Sequence, residues 1–399
     1  WRPPAWDSVP FAIFAMMTAA LLLAFLQVVP LPEHLFACMP QRAQVVAEWH
    51  AAGLPATWRP MSLAPVGTLR AALAMACAMA MWMTCMQLPV ASRIALLKLG
   101  VLVALPMALL GYAQAGAKAD TTGANGLFEN RNHFATLMAM LVPFALAAAH
   151  DARVRSQRPL ALAWLAAMVA LLLGAALSYS RAGTVLAFAA AVASLAVVAG
   201  PRQSALGLRA NGLAIAAAVA VAVTAVAYFA WDKLAQRFAS HLGDDLRWHY
   251  VATSWPVLKA YLPWGSGFGS FSAVYVEAEP LATLGEFTFA HHAHNELIEL
   301  AIEGGLPALL LVAAFLCILA VGARQVFRAA AEDGHWRRAA LVAIAVALLH
   351  SLVDYPLRTF ACSIPLALAL AVLVQAPGNR VARATSTPRR SRRGRATLP

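Results

Sequence analysis

The chain has 399 residues, 61% of them hydrophobic and only 12% charged, with a formal net charge of +12 at pH 7. A mean hydropathy of +0.68 excludes an ordinary soluble domain and points to a polytopic membrane protein. The basic excess reads as membrane topology rather than nucleic-acid binding, because it gathers on alternate connections and in a tail with seven arginines from Arg380 to Arg395 and no acid.

Ten apolar runs approach the roughly 20 residues that a membrane-crossing helix needs. They fall at 9–29, 67–88, 94–113, 134–149, 160–177, 183–199, 212–230, 297–321, 339–352 and 359–375. The positive-inside rule then puts both termini in the cytoplasm. Between the first two runs, residues 30–66 form an outer loop rich in proline, with Trp49 and Trp58 suited to the interface. The chain starts at Trp1 without methionine, as a fragment or a processed form would, and its first apolar run is long enough to span rather than to be cleaved.

The third run is followed by a Gly/Ala/Thr-rich stretch ending in Phe128-Glu-Asn-Arg-Asn-His-Phe134. Arg131 there suits either interfacial anchoring or ligand binding. Ser178-Tyr-Ser-Arg-Ala-Gly183 joins the fifth and sixth runs and holds Arg181 on the outer side; it suits a snorkelling anchor, but a positive charge there runs against the topology rule, which adds weight to a functional role.

The longest loop, 231–296, begins with a stretch from Leu234 to Tyr261 patterned as a helix lying on the membrane surface and carrying Arg247. Pro263-Trp-Gly-Ser-Gly-Phe-Gly-Ser-Phe271 follows; no strand and helix of a phosphate-binding unit flank its glycines, so it reads as a tight turn. Next comes Phe289-Ala-His-His-Ala-His-Asn-Glu296, which runs into the eighth span. A helix starting near His291 would align His292, Glu296, Glu299 and Glu303. The last two spans are separated by His350-Ser-Leu-Val-Asp-Tyr-Pro-Leu-Arg358, where Asp354 and Arg358 are expected to pair. Four organisational units result: a seven-span region 1–230, the loop 231–296, a three-span region 297–375 and a basic tail 376–399.

Arginines at span mouths suit a diphosphate at headgroup depth, gripped by guanidinium forks. Arginines can also stabilise the leaving group of a lipid-diphosphate sugar donor, while a histidine or carboxylate takes the proton of the acceptor hydroxyl. A zinc site on His291, His292 and His294 is disfavoured, since neighbouring positions cannot face one side of a regular helix and no HExxH spacing occurs. A transporter of a small solute is the alternative of another class. The charge-free runs 160–177, 183–199 and 212–230 count against proton coupling, though not against a neutral-solute carrier. The cysteines Cys38, Cys77, Cys85, Cys317 and Cys362 read as small packing residues.

Taken in order, His294-Asn295 with Glu303 and Gly305, Ser180-Arg181, Asn130-Arg-Asn-His-Phe134, and Arg247 ahead of the 263–271 turn resemble the O-antigen ligase and polymerase superfamily of bacterial envelope glycosyltransferases. The resemblance implies an all-α polytopic membrane protein, here with about ten transmembrane helices and a large periplasmic loop before the eighth. It implies transfer of a glycan from an undecaprenyl-diphosphate carrier to an acceptor hydroxyl at the periplasmic face of the bacterial inner membrane, with no metal or other cofactor and no nucleic acid. Ligation to a lipopolysaccharide core is the first expectation; a polysaccharide polymerase or a protein O-oligosaccharyltransferase is the alternative. Arg181 and Arg247 would bind the diphosphate and His294 would activate or orient the acceptor, with Arg131, Asn295, His292 and Arg358 completing the substrate site. Two features depart from the family pattern. Its GxxG reads Gly305-Leu-Pro-Ala308 here, and ten runs stand where the family has about twelve spans.

Overall fold

The computed structural model describes residues 8–117, 123–198, 246–280, 290–328 and 334–374, with scattered positions between 217 and 239. Among the described residues the chain is helical apart from one two-residue strand pair, Pro30–Leu31 with Arg59–Pro60. The helices are α1 (Val9–Gln27), α2 (Glu33–Ala37), α3 (Arg42–Ala51), α4 (Pro65–Gln87), α5 (Val90–Ala117), α6 (Arg131–Val154), α7 (Arg158–Leu177) and α8 (Arg181–Val198). They continue with α9 (Leu246–Tyr261), α10 (Phe271–Val276), α11 (Glu296–Arg328), α12 (Gly334–His350) and α13 (Phe360–Leu373), with a 3-10 turn at Pro356–Arg358.

Nine of the ten apolar runs coincide with helices; the run 212–230 lies largely outside the described residues. Six helices, α1, α4, α5, α6, α7 and α11, are long and apolar enough to cross a membrane, so this is a multi-pass membrane protein. α13 and the Arg181–Leu195 part of α8 are apolar but shorter. Of the helix expected over 234–261, residues 246–261 form α9, and most of 234–245 lies outside the described residues.

The bundle is built around α6. Its apolar window is 94% buried, against 17% for α1, α4 and α11, so α6 touches protein on all sides while few residues of those three are fully buried. α7, α8 and α12 pack directly on it. Its first turn is fixed by Asn130, whose side chain accepts from Asn132 N–H at 2.8 Å. Small residues bring neighbours close: a Cβ on Gly183 of α8 would stand 2.4 Å from the Ala135 Cβ. The first turns of α6 and α8 therefore lie side by side, and Ala124 N–H donates to Leu177 O at the end of α7.

α11 is broken inside. Gly305 takes φ 61 and ψ −154, a conformation open essentially to glycine. The carbonyls this break frees are satisfied by the 263–271 turn, as buried polar groups require. Ser266 N–H donates to Ile302 O and Gly267 N–H to Glu303 O, while Leu306 N–H donates back to Pro263 O. Gln27, fully buried, donates from Nε2 to Glu303 O and accepts from Phe268 N–H. The glycine-rich turn is thus a brace for a broken helix.

Candidate active site

The starts of α6, α8 and α11, the end of α12 and the 3-10 turn meet at one end of the bundle. His350, the last residue of α12, hydrogen-bonds Thr136 on α6 at 2.7 Å, and Glu296 N–H donates to Ser351 O. α11 begins at Glu296, so His291 to Asn295 precede it instead of forming its first turn as the sequence pattern had suggested. Asn295 is the cap, accepting from Leu297 and Ile298 N–H at 3.0 and 3.1 Å and donating from Nδ2 to Leu352 O. The aligned stripe is therefore Glu296, Glu299 and Glu303, and His292 reaches Glu299 from outside the helix.

His294 sits in the left-handed region at φ 50. Its Nδ1 lies 3.0 Å from Asp354 Oδ1. A carboxylate oxygen can only accept, so Nδ1 carries the proton and Nε2 of the neutral ring keeps its lone pair. The ring stacks on Tyr250 of α9 and meets Tyr355 edge-on, at centroid distances of 5.7 and 5.0 Å.

Asp354 is fully buried, whereas His294 and Arg247 remain partly exposed. Arg247 Nη2 lies 3.8 Å from Asp354 Oδ2, and His133 Nε2 lies 4.0 Å from Oδ1. Tyr355 N–H also donates to Oδ1. Burial alone would raise the Asp354 carboxyl, but the His294 hydrogen bond and the charges of Arg247, His294 and His133 hold it well below the usual carboxylate range.

The expected Asp354–Arg358 pair does not form. Asp354 turns inward, its N–H bonded to His350 O, while Arg358 reaches α11 from the 3-10 turn. Its Nη2 stands 3.0 Å from Glu299 Oε1 and 2.9 Å from Glu303 Oε2, both carboxylates being buried. Burial would lower the guanidinium, yet these carboxylates raise it above its ordinary value. Glu299 also binds His292 Nδ1 at 2.8 Å and accepts from Ala293 N–H. His292 and His294 thus turn to separate carboxylates.

An open cleft of about 920 Å³ borders this cluster, lined by Asn130, Arg131, His133, His291, His292, Tyr355 and Arg358 among others. Tyr355, in ring contact with His133, His292 and His294, joins the cleft to the His294–Asp354 pair. The contacts tie Arg247 to His294 through Asp354, whereas Arg181, opening α8, is brought to the same end of the bundle by helix packing. Sequence reasoning did not single out Asp354, His133, Tyr355 and Tyr250 as candidate site residues. The available signals were a lone acid at the end of an apolar helix and the histidine of Asn130-Arg-Asn-His133.

A neutral imidazole with Nδ1 held by a carboxylate and Nε2 available is equipped to take a proton from a hydroxyl, with guanidinium groups nearby to hold an anion. Residues 166–313 match the family model described as O-antigen ligase. That stretch contains Arg181, Arg247, His294 and Asn295, supports the superfamily resemblance, and points to glycan transfer in envelope polysaccharide biosynthesis. No curated protein matches the chain.

Proposed function

We propose that the chain is a glycosyltransferase that moves a glycan from an undecaprenyl-diphosphate carrier to an acceptor hydroxyl at the periplasmic face of the bacterial inner membrane, with O-antigen ligation to a lipopolysaccharide core as the leading reaction. The observation that carries this reading is His294 held by the buried Asp354, which Arg247 also faces.

His294 Nε2 takes the proton of the acceptor hydroxyl as its oxygen bonds to the anomeric carbon of the donor sugar. The bond between that carbon and the phosphate oxygen breaks, and its electron pair leaves with the undecaprenyl diphosphate. Arg247 and Arg181 hold the charge that gathers on the leaving diphosphate. Asp354 fixes the ring and offsets the imidazolium charge as it forms. Arg131, His292 and Arg358 border the cleft for the glycan and the diphosphate, and Asn295 caps the helix that starts beside it. The concentration of ionisable groups at one end of the bundle favours a reaction site over the small-solute transporter reading.

The test supplies purified protein in proteoliposomes with a labelled undecaprenyl-diphosphate glycan and candidate acceptors. Label on lipopolysaccharide core is the expected result; label on an extended lipid-linked chain or on protein Ser/Thr would redirect the reading to a polymerase or a protein O-oligosaccharyltransferase. Absence of transfer to any of these by wild type, or transfer at the wild-type rate after Arg181→Ala, Arg247→Ala and His294→Ala, would overturn the assignment.

A further inference from the structure

A second space lies on the other side of His292 and Arg358. On α4, Gly67, Ala71, Ala74 and Ala78 recur at helical spacing and so share one face. These side chains are too small to reach the start of α11 and the beginning of α13, and a groove of about 720 Å³ remains between them. Its outer end is closed by backbone: a Cβ on Gly67 would stand 2.7 Å from Gly269 O. From Gly67 to Ala78 the helix rises about 16 Å, close to the hydrocarbon depth of one leaflet.

Along α4 the lining passes from exposed Arg70 to Met75 and Ala78, while His292, Glu296, Glu303 and Arg358 add polar groups and Leu300 and Phe360 apolar ones. Glu303 is already paired with Arg358, and Glu296 accepts Leu357 N–H at 2.7 Å, which leaves Arg70 to meet an anionic head. His292 and Arg358 line both this groove and the polar cleft. One ring, Tyr355, separates His292 from His294. A molecule lying in the groove therefore has its head beside the candidate base.

We infer that this groove seats the head-proximal isoprene units of the donor's single polyprenyl chain, its phosphates passing Arg70 and the His292–Arg358 partition while the glycan lies in the polar cleft. The inference rests on the proposed function for the identity of the lipid. Its volume suits one ligand-sized segment, since pockets of roughly 300–1,000 Å³ hold one drug-sized molecule. A lipid with several acyl chains needs more width than one helix face of small residues leaves.

The experiment uses the full chain in phospholipid vesicles with a full-length polyprenyl phosphate carrying a photoreactive group on an isoprene near the head. Label is expected on the 65–87 and 357–363 peptides, competed by unlabelled polyprenyl phosphate. Label confined to other helices, or displaced equally by added phospholipid, overturns the assignment. Ala74→Phe should raise the KM for a full-length polyprenyl donor by about tenfold or more while leaving unchanged that for a donor with a methyl group in place of the polyprenyl chain. No change for either, or equal changes for both, also counts against it. If wild type transfers glycan from no lipid-diphosphate donor, the functional reading fails, and the labelling still decides the groove.

Discussion

The Nδ1 of His294 stands 3.0 Å from Oδ1 of Asp354, and His294 enters the left-handed region at φ 50 in this arrangement. A non-glycine residue in that region carries a cost of order 1–3 kcal/mol that the surroundings must offset. The Asp354 bond, the Tyr250 stack and the Asn295 cap are the interactions beside it that can do so.

Asp354→Asn tests that relationship with little change in shape. An amide can present its NH2 to Nδ1 and stabilise the wrong tautomer, so kcat for transfer should fall by about 10²- to 10⁴-fold with little change in donor KM. Equal kcat in variant and wild type would remove Asp354 from the mechanism.

The same pair sets a pH window for stability. The folded Asp354 carboxyl titrates below the roughly 3.9 of an unfolded aspartate, so its contribution is complete above about pH 4 and is lost as pH falls through the folded value. Wild type should melt above Asp354→Asn at pH 7, and the gap should narrow progressively below about pH 4. A gap of constant size from pH 7 to pH 2 would mean that the carboxylate charge contributes nothing.

Arg247 separates charge from geometry. Arg247→Lys keeps a cation near Asp354 but loses the planar fork that fits a diphosphate, so donor KM should rise by about tenfold or more. Arg247→Ala should lose both KM and kcat, and the donor KM of wild type should depend more steeply on salt than that of the alanine variant. Identical kinetics for the lysine variant and wild type would argue that Arg247 acts only as a point charge.

His294, Arg247 and Arg181 could be proposed from the sequence because polar residues beside apolar runs stand out, and their order carries the family resemblance. Nine helices were legible for the same reason, while α6 and α11 could not be told apart as the buried pole and a span with few buried residues, since both are simply apolar. Asp354 was misassigned: Arg358, on the same polar edge between the last two spans, was the expected partner. Residues 351–355 are not a continuous helix, and the turn after His350 sends the acid inward and the arginine to α11. The glycines of the 263–271 turn gave no sign of their role, because what they brace is a break some forty residues later in the chain.

Arg358 should matter for folding as well as for the cleft. Removing it leaves two buried carboxylates facing each other, a loss that in comparable settings costs about 3–5 kcal/mol. Arg358→Gln is expected to lower the melting temperature of detergent-solubilised protein by several degrees, with partial recovery on adding Glu303→Gln. If the second substitution lowers stability further, the carboxylates do not depend on Arg358 in this way.

Gly305 offers the sharpest test of the broken helix. At φ 61 and ψ −154 a side chain is strained whatever the space, and here a Cβ would also meet Pro263 O at 2.2 Å. Gly305→Ala must therefore push the 263–271 turn off α11 or straighten the helix. Either outcome disturbs Ser266 and Gly267, whose N–H groups satisfy Ile302 and Glu303 carbonyls, and it shifts Glu303 against Arg358. The expected loss is at least about 2 kcal/mol of stability together with reduced transfer. Gly116→Ala is the control, because a Cβ there meets nothing within 4 Å and α5 is already helical at that point. Comparable melting temperatures and transfer rates for the two variants would show that the break in α11 does not position the site.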